Sequence, residues 1–569
     1  MGKSSRRADI AAMMGALALT ACGGSSSGPT PAPPPPPSIS VATEFPGPTD
    51  HVGAYVQPAI AFTRALAPAL PATAASLASP VAAVPADIAA SGSTLALSPK
   101  SPLVWGGHYT VSLTSAVASA QGAALAPTSF SFDIVAPTWT TAAQVATPAF
   151  TAAAPVVAFD QTGHAFGVWQ QDTDGSGTWN IQASRLDLAS RTWSAPVALH
   201  PVAHAQAVAA IATDAAGDAI AAWSEDVGNA TWNIHAARFD AGLGAWGAAT
   251  PIQTVSGQTG QVPKVVMDAA GNAIVVWQQY AATGNGLAIF AARFDAHAAA
   301  WKPAVQIDAG TGAGNPQVAL DGAGNGVAVW EQASAGAVAQ VAGARWSQSA
   351  GTWSAPQVVQ SSTLRAYNPQ LAVASDGGAT VVWTQAEANG TLTIQAARAA
   401  GATATWGAQQ ALSPATGVNG GNWPQAKADP GGNVTVLWEQ YQASGVYSVD
   451  AARYDATSGA WGATTHVETL TPAVNINPYG TPPALVVDAA GNATAAWSRH
   501  DPISGVAGAS MARFDSHLGT WSLVTSPAAS FSDDGVFLGV DAQGEVLAGW
   551  SVRDISGFGT PWWSLLTGA

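Results

Sequence analysis

Across 569 residues there is one cysteine, and only 9% of the side chains carry a charge, against about 25% in an ordinary globular chain. A single thiol excludes an intramolecular disulfide framework and any zinc site built on several cysteines. Positive charge is the scarcer sign, with 19 Lys and Arg against 34 Asp and Glu, for a formal net charge of −15. Nucleic-acid binding depends on clustered cations that displace counterions, so no nucleic-acid partner is expected. Acidic chains are often disordered, but 48% hydrophobic and 8% aromatic residues supply material for packed cores. Sequence motifs of catalysis are missing as well: no His-Glu-x-x-His and no complete phosphate loop occurs. His200 and His204 have i, i+4 spacing, but they fall near an expected strand end, where that spacing does not put two ligands on one face; a surface pair is the simpler reading. No cofactor is expected.

What is present begins with an address. An apolar run from Ile10 to Leu19 follows the basic residues Lys3, Arg6 and Arg7. It is too short to span a bilayer and has the layout of an export signal. Leu19-Thr20-Ala21-Cys22 resembles the lipobox of bacterial lipoproteins, which implies cleavage before Cys22 and acylation of its thiol and new amino group. On this reading residues 1–21 are a signal peptide and Cys22 is the lipidation site. Residues 22–38 form a tether, flexible through its Gly/Ser tract and stiff through Pro33–Pro37. Gly23, where an aspartate would favour inner-membrane retention, implies an outer-membrane anchor, periplasmic or surface-exposed.

Residues 39–135 change texture to short alternating runs between Gly/Pro turns, such as Ala59–Phe62, Thr94–Leu97, Tyr109–Leu113 and Phe130–Ile134. The order Leu95-x-Leu97-x-Pro99, Pro102-Leu103, Gly107-x-Tyr109-Thr110-Val111, Gly122 and Phe130-x-Phe132 resembles the bacterial Ig-like domains of S-layer and other surface proteins. The resemblance implies a β-sandwich acting as a spacer.

Residues 136–569 are a repeat of about 54 residues. Trp169, Trp223, Trp277, Trp330, Trp383, Trp438, Trp497 and Trp550 each follow an aspartate by nine residues and a glycine by six, with Ala374 as the one departure at the aspartate position. Such a corner is a hairpin: Asp bonds backbone amides across the turn, Gly supplies positive φ, and the run into Trp is a strand. Arg185, Arg238, Arg293, Arg345, Arg398, Arg453 and Arg513 each precede a second tryptophan by eight residues. The first unit is expected to hold strands at 155–159, 164–170, 180–186 and 192–199. Four short strands per unit indicate propeller blades. The eighth outer strand is missing from the carboxy-terminal end, and Thr138-Trp139-Thr140, 54 residues before Trp193, supplies it. The expected fold is therefore all-β, an Ig-like β-sandwich followed by an eight-bladed β-propeller with four-stranded blades, closed by the strand around Trp139. An open solenoid is the competing architecture, because the Arg-[Leu/Phe/Tyr]-Asp turns are similar to those of tyrosine–aspartate repeat proteins. The corner also resembles the Asp-box of sialidase-type propellers, although Asp and Gly here are three apart instead of two. A sialidase-like site would need converging arginines outside the repeat, and these are few: Arg191, Arg365, Arg499 and Arg553.

A residue present in every blade does not mark a unique site, so function is sought in departures from the pattern on the longest connections. Those connections carry Asn422, Trp423, His466, Glu468, Asn475, Asn477 and Tyr479, with Tyr367 and Asn368 at a matching place one unit earlier. Tyr280 and Tyr441, just after hairpin tryptophans, can join the same rim. Aromatic faces beside amides suit sugar rings, whose C–H faces stack while their hydroxyls hydrogen-bond. Asp172-Thr173-Asp174-Gly175-Ser176 offers oxygens at alternate positions as a calcium loop does, but it lacks the later bidentate acid, and a solvated turn is the simpler reading. The expected protein is a monomeric, lipid-anchored envelope protein that binds a glycan or a protein partner, with a glycan-cleaving hydrolase or a structural scaffold as alternatives.

Overall fold

The computed structural model describes residues 38–46, 51–52, 56–100, 103, 107–134, 138–145, 152–202 and 205–567. Within the last span the segments 229–230, 254–258, 282–285, 311, 334–337, 402–404, 414–419, 442–446, 470–474, 477–481, 501–506, 517–518, 525–535, 542–543 and 554–558 are excepted. Among the described residues every regular element is a strand, and no helix is long and apolar enough to cross a membrane.

The amino-terminal sandwich has two sheets. One orders Val41–Phe45, Ala59–Phe62, Thr94–Pro99 and Ala86–Ser91; the other orders His51–Val52, Thr128–Ile134, His108–Leu113, Ala75–Ala78 and Ala83–Val84. Their alternating apolar residues meet in one core that includes Ile60, Leu95, Leu97, Leu77, Val111 and Phe132.

Eight further sheets follow among the described residues. Their first strands are Ala152–Phe159, Gln206–Thr213, Gly260–Met267, Ala313–Leu320, Ala366–Val373, Gly421–Ala428, Ala484–Val487 and Val536–Val540. Each first strand packs on the first strand of the next sheet, and Val536–Val540 packs back on Ala152–Phe159, so the sheets close into a ring of blades. The second strands carry the hairpin tryptophans, all at most 2% exposed. Each fills the gap to the preceding blade: Trp277 lies among Ile220, Ala222 and Ile234, and Trp330 among Ile274, Val276 and Ile289. Small residues around these indoles let neighbouring sheets approach, which explains the scarcity of charge.

Two residue pairs from the amino-terminal side complete the last blade. Thr138–Trp139 and Ala143–Gln144 both pair antiparallel with Gly559–Thr567, Trp139 standing opposite Leu566. The outer strand expected at 192–199 is in fact two short strands, Thr192–Trp193 and Val197–Ala198, both on Trp179–Asp187. Pro196 falls in the break, and the same break recurs without a proline between Ala245–Trp246 and Thr250–Pro251 in blade two.

The Asp/Gly/Arg series forms a latch between blades. Asp429 Oδ1 accepts the Asn433 amide at 2.9 Å, while Oδ2 accepts Asn433 Nδ2 and Arg453 Nη2, both at 2.8 Å. The same oxygen lies against Gly491, the corner glycine of the next blade, where an added Cβ would stand 2.7 Å away. Arg453 also donates to the Gly491 carbonyl at 2.9 Å and lies over Phe514 of that next blade. Arg185 over Phe239 and Arg398 over Tyr454 repeat the stacking. In blade five, where Ala374 replaces the aspartate, Ser375 takes over: its carbonyl accepts the Gly322 amide and its hydroxyl donates to the Pro430 carbonyl.

Blade two varies the latch. Asp218 draws Arg238 to itself, together with Asp240, and Asp214 loses its cation. Burial, with repulsion from Asp218, then raises the Asp214 pKa despite its backbone hydrogen bonds. At the same corner in blade one, burial pushes Asp160 upward, but the His164 amide, Arg185 and Thr162 together outweigh it and lower the pKa.

Two predictions follow from the ring and its latch. Deleting residues 136–148 removes the strands that finish the last blade and should lower the thermal midpoint; an unchanged midpoint would argue against closure by this segment. The two corner aspartates should also show opposite pH dependence. The depressed Asp160 contributes stability above its unfolded pKa that is lost as pH falls through the folded value, whereas raised Asp214 contributes stability at acid pH that is lost as pH rises through its folded value. Asp160→Asn should therefore lower the thermal midpoint more at pH 7 than at pH 3, and Asp214→Asn should raise it at pH 7.

Candidate functional site

In every blade the start of the first strand and the connection from second to third strand lie on one face, because Gly421 pairs with Gln440 and Tyr441 with Tyr447. On this face the first strands of blades three to six share a bulge, with register shifts at Gln261/Lys264, Gly314/Gln317, Tyr367/Gln370 and Asn422/Gln425. The extra residue is Val262, Asn315, Asn368 or Trp423, with φ of 55°, 54°, 50° and 51°, and a proline follows each one. Asparagine tolerates this left-handed region, but a side chain such as Trp is strained there by roughly 1–2 kcal/mol.

The bulge turns its amide toward the preceding blade. Asn315 N donates to Gln278 Oε1 at 3.0 Å, and Asn368 N donates to Glu331 Oε1 at 2.8 Å. Asn315 Nδ2 reaches the same Glu331 oxygen at 2.8 Å, so one carboxylate ties blades four and five together. Thr384, directly across from Tyr367, donates to Asn422 Oδ1 at 3.2 Å. Gly420 and Gly421 lead into Asn422 and Trp423 so tightly that a Cβ at Gly420 would overlap the Leu392 carbonyl. The backbone of blade five thus fixes the position of Trp423.

Aromatic rings lie on the same face as these amides. Tyr367 lies beneath Arg365, 4.8 Å from ring centre to guanidinium. Tyr441 and Tyr447 meet edge to face at 4.8 Å, and Tyr280 is 44% exposed. Partial burial, then Tyr441 and Glu439, raise the pKa of the Tyr447 hydroxyl, which keeps it a neutral donor.

The structure therefore brings Tyr367, Asn368, Asn422 and Trp423 to one rim. Asn475 stands in a short strand opposite His500 of blade seven; Asn477, Tyr479 and Cys22 lie outside the described residues. Gln278, Asn315, Glu331, Thr384 and Tyr447 were not among the residues expected from sequence. The recurring residue-Pro pair at Val262-Pro263, Asn315-Pro316, Asn368-Pro369 and Trp423-Pro424 was the available signal, and it shows that Trp423 occupies a repeated backbone position with an unrepeated side chain. At the suggested calcium loop, Asp172 Oδ1 accepts the Asp174 and Gly175 amides and Oδ2 the Gly177 amide, so both oxygens face backbone donors.

His200 Nδ1 lies 2.8 Å from Glu225 Oε2; His204, the other member of the expected surface pair, is outside the described residues. With His235 these two residues form a group whose donor atoms all lie within 4.8 Å of one another. Clefts elsewhere recur at blade junctions, one of about 540 Å³ lined by Arg345, Trp346, Trp353 and Trp406 and another of about 440 Å³ lined by Arg453, Trp461, Phe514 and Trp521. Their repetition marks them as part of the scaffold.

Residues 37–134 match the bacterial Ig-like domain family. No curated protein matches the chain in sequence. Among solved structures, the Dos1 propeller is 9% identical with a TM-score of 0.46, over 75% of this chain and 95% of its own. The NanB sialidase of Streptococcus pneumoniae is 9% identical with a TM-score of 0.36, over 80% of this chain and 88% of its own. A Dyadobacter fermentans protein of unknown function is 14% identical with a TM-score of 0.35, over 56% of this chain and 98% of its own.

Trp423→Asn places at the bulge the residue that blades four and five already carry. It should leave thermal stability unchanged or raise it by about 1 kcal/mol through relief of backbone strain. A fall of more than that would show that Trp423 holds its blade together.

Proposed function

We propose that this chain is a lipid-anchored cell-envelope protein whose propeller binds glycans through the rim formed by Tyr367, Asn368, Asn422 and Trp423. The matching bulges of blades four and five hold asparagines and that of blade three a valine, whereas blade six places an aromatic ring there, in a conformation that disfavours it. That observation carries the reading, because strain retained on a partly exposed aromatic ring points to retention for a contact. The indole and Tyr367 offer faces for sugar C–H groups, and Asn368, Asn422 and Thr384 offer amides and a hydroxyl for sugar hydroxyls. The neighbouring Ig-like domain acts as a spacer of the kind found in bacterial surface proteins. With the lipid on Cys22 and the proline-rich tether, it holds the rim away from the membrane.

The outer-membrane location and a monomeric state belong to this proposal. A glycan array probed with the full chain and with Trp423→Asn tests it. The expected result is binding to a defined glycan class, weakened at least tenfold in the folded variant. Retention of full affinity by the variant overturns the assignment of the rim. Absence of any glycan binding, with co-purification of an envelope protein, transfers the rim to a protein partner, and turnover of fluorogenic glycosides would favour a hydrolase.

A further inference from the structure

At the junction of blades one and two, three positions of the repeat change together. The first ends the connection after the outer strand. In blades three, four and five it holds Asp308, Gln360 and Ser413, whose side chains cap the amides of Ile289, Val341 and Ile394. The matching amide in blade one, Ile181, is instead capped by Gln206 Oε1 at 2.7 Å, and the residue at this position, His200, is released toward the next blade. The second position lies two residues after the hairpin tryptophan. Gln171, Gln279, Gln332 and Gln440 accept the indole N–H there, but blade two has Glu225, which accepts the Trp223 indole at 3.3 Å. The third position faces the hairpin tryptophan across the sheet and holds Gln182, Phe290, Ala342, Gln395, Asp450 and Ser510 elsewhere; in blade two it is His235.

The three substituted side chains converge. His200 Nδ1 is 2.8 Å and His235 Nδ1 is 3.9 Å from Glu225 Oε2, and the two imidazole centres are 5.5 Å apart. Glu225 is 4% and His235 7% exposed at the side chain, while His200 keeps 33%. His235 Nδ1 is buried without a hydrogen-bond partner and points into the group, a cost that a structural imidazole normally avoids. Gln206 Nε2 donates to Glu225 Oε2 at 3.0 Å and to the His200 carbonyl at 2.7 Å. That amide holds both residues in place, as an outer-shell group does around a metal. Trp223 stacks at 20° on His235 and fixes its ring.

We propose that His200, Glu225 and His235 form a binding site for a divalent transition metal, with Zn(II) as the ion it fits. Two imidazole nitrogens and one carboxylate are a borderline donor set suited to zinc. Bonds of about 2.0–2.1 Å would place the donors roughly 3.4 Å apart in a tetrahedral arrangement, so the His200–Glu225 pair at 2.8 Å opens and the His235–Glu225 pair at 3.9 Å closes around the ion. The partly exposed His200 side leaves the fourth position to water. This site lies apart from the Trp423 rim and does not depend on the glycan reading.

The test uses the full chain, stripped with chelator and titrated with ZnCl₂ by calorimetry and with CoCl₂ by visible absorption. One equivalent of Zn(II) should bind, and Co(II) should give the d–d bands of a low-coordinate site. Glu225→Gln and His235→Gln each install a residue that other blades carry at the same position, so both variants should fold, as circular dichroism and the thermal midpoint will report. Each should weaken Zn(II) binding at least tenfold, while His466→Ala, which removes a histidine paired with Asp450 in blade six, should leave it unchanged. Failure of the full chain to take up one equivalent overturns the proposal, as does unchanged affinity in both folded glutamine variants.

Discussion

The ring depends on the carboxylate that seven of its eight hairpin corners carry. In blade six one oxygen of Asp429 closes its own hairpin by accepting the Asn433 amide, and the other meets Arg453 of the same blade while pressing against Gly491 of the next; Asp160 and Asp488 meet Arg185 and Arg513 in the same way. A blade is too thin to form a core alone, so its stability comes from its neighbours, and this contact sets how closely the neighbours approach. A side chain at Gly491 would crowd Asp429 of the preceding blade, and Arg453 spans the same junction to stack on Phe514. At most one corner acid, one series arginine and one corner glycine serve each blade, because the remaining interface is small and apolar side chains around the tryptophans. The low charge of the chain follows from that economy.

Repetition also supplies an internal reference for function. Each position has up to seven counterparts in the same molecule, so a departure can be compared with what the scaffold requires at that place. Trp423 departs at a bulge where asparagine is the conformationally easier residue. His200, Glu225 and His235 stand at three positions that elsewhere cap a strand, accept an indole or vary from blade to blade. In both places the scaffold function is met by another route: Gly420 and Gly421 fit the chain against blade five, and Gln206 takes over the strand cap. Such compensation separates a departure that has been accommodated from random drift.

Much of the architecture was legible in the sequence because its determinants are local and periodic. The aspartate, glycine and tryptophan spacing encodes a hairpin, the arginine spacing encodes the third strand and its turn, and the count of each shows that the last blade lacks a strand. Within the rim, Trp423, Asn422, Tyr367 and Asn368 were found because they break the repeat in long stretches expected to be connections, although the structure places them at the starts of the strands Ala366–Val373 and Gly421–Ala428. Gln278, Glu331 and Thr384 were not, since each sits inside a regular strand next to a hairpin tryptophan, where its polar end reaches a bulge about 37 residues further on. The pair His200 and His204 was read along the chain, whereas the partners of His200 come from two strands of the next blade.

By itself the sequence determined the all-β class, the blade length, the corner chemistry and the order of the two folded units, because strand alternation and turn residues act over a few positions. Only the tertiary structure decided that the last blade meets the first, that Trp423 is held in a left-handed conformation shared with asparagines, and that two histidines and a glutamate from separate elements face one another. Those facts depend on how adjacent sheets are spaced and twisted, and spacing between sheets leaves no periodic mark on the chain.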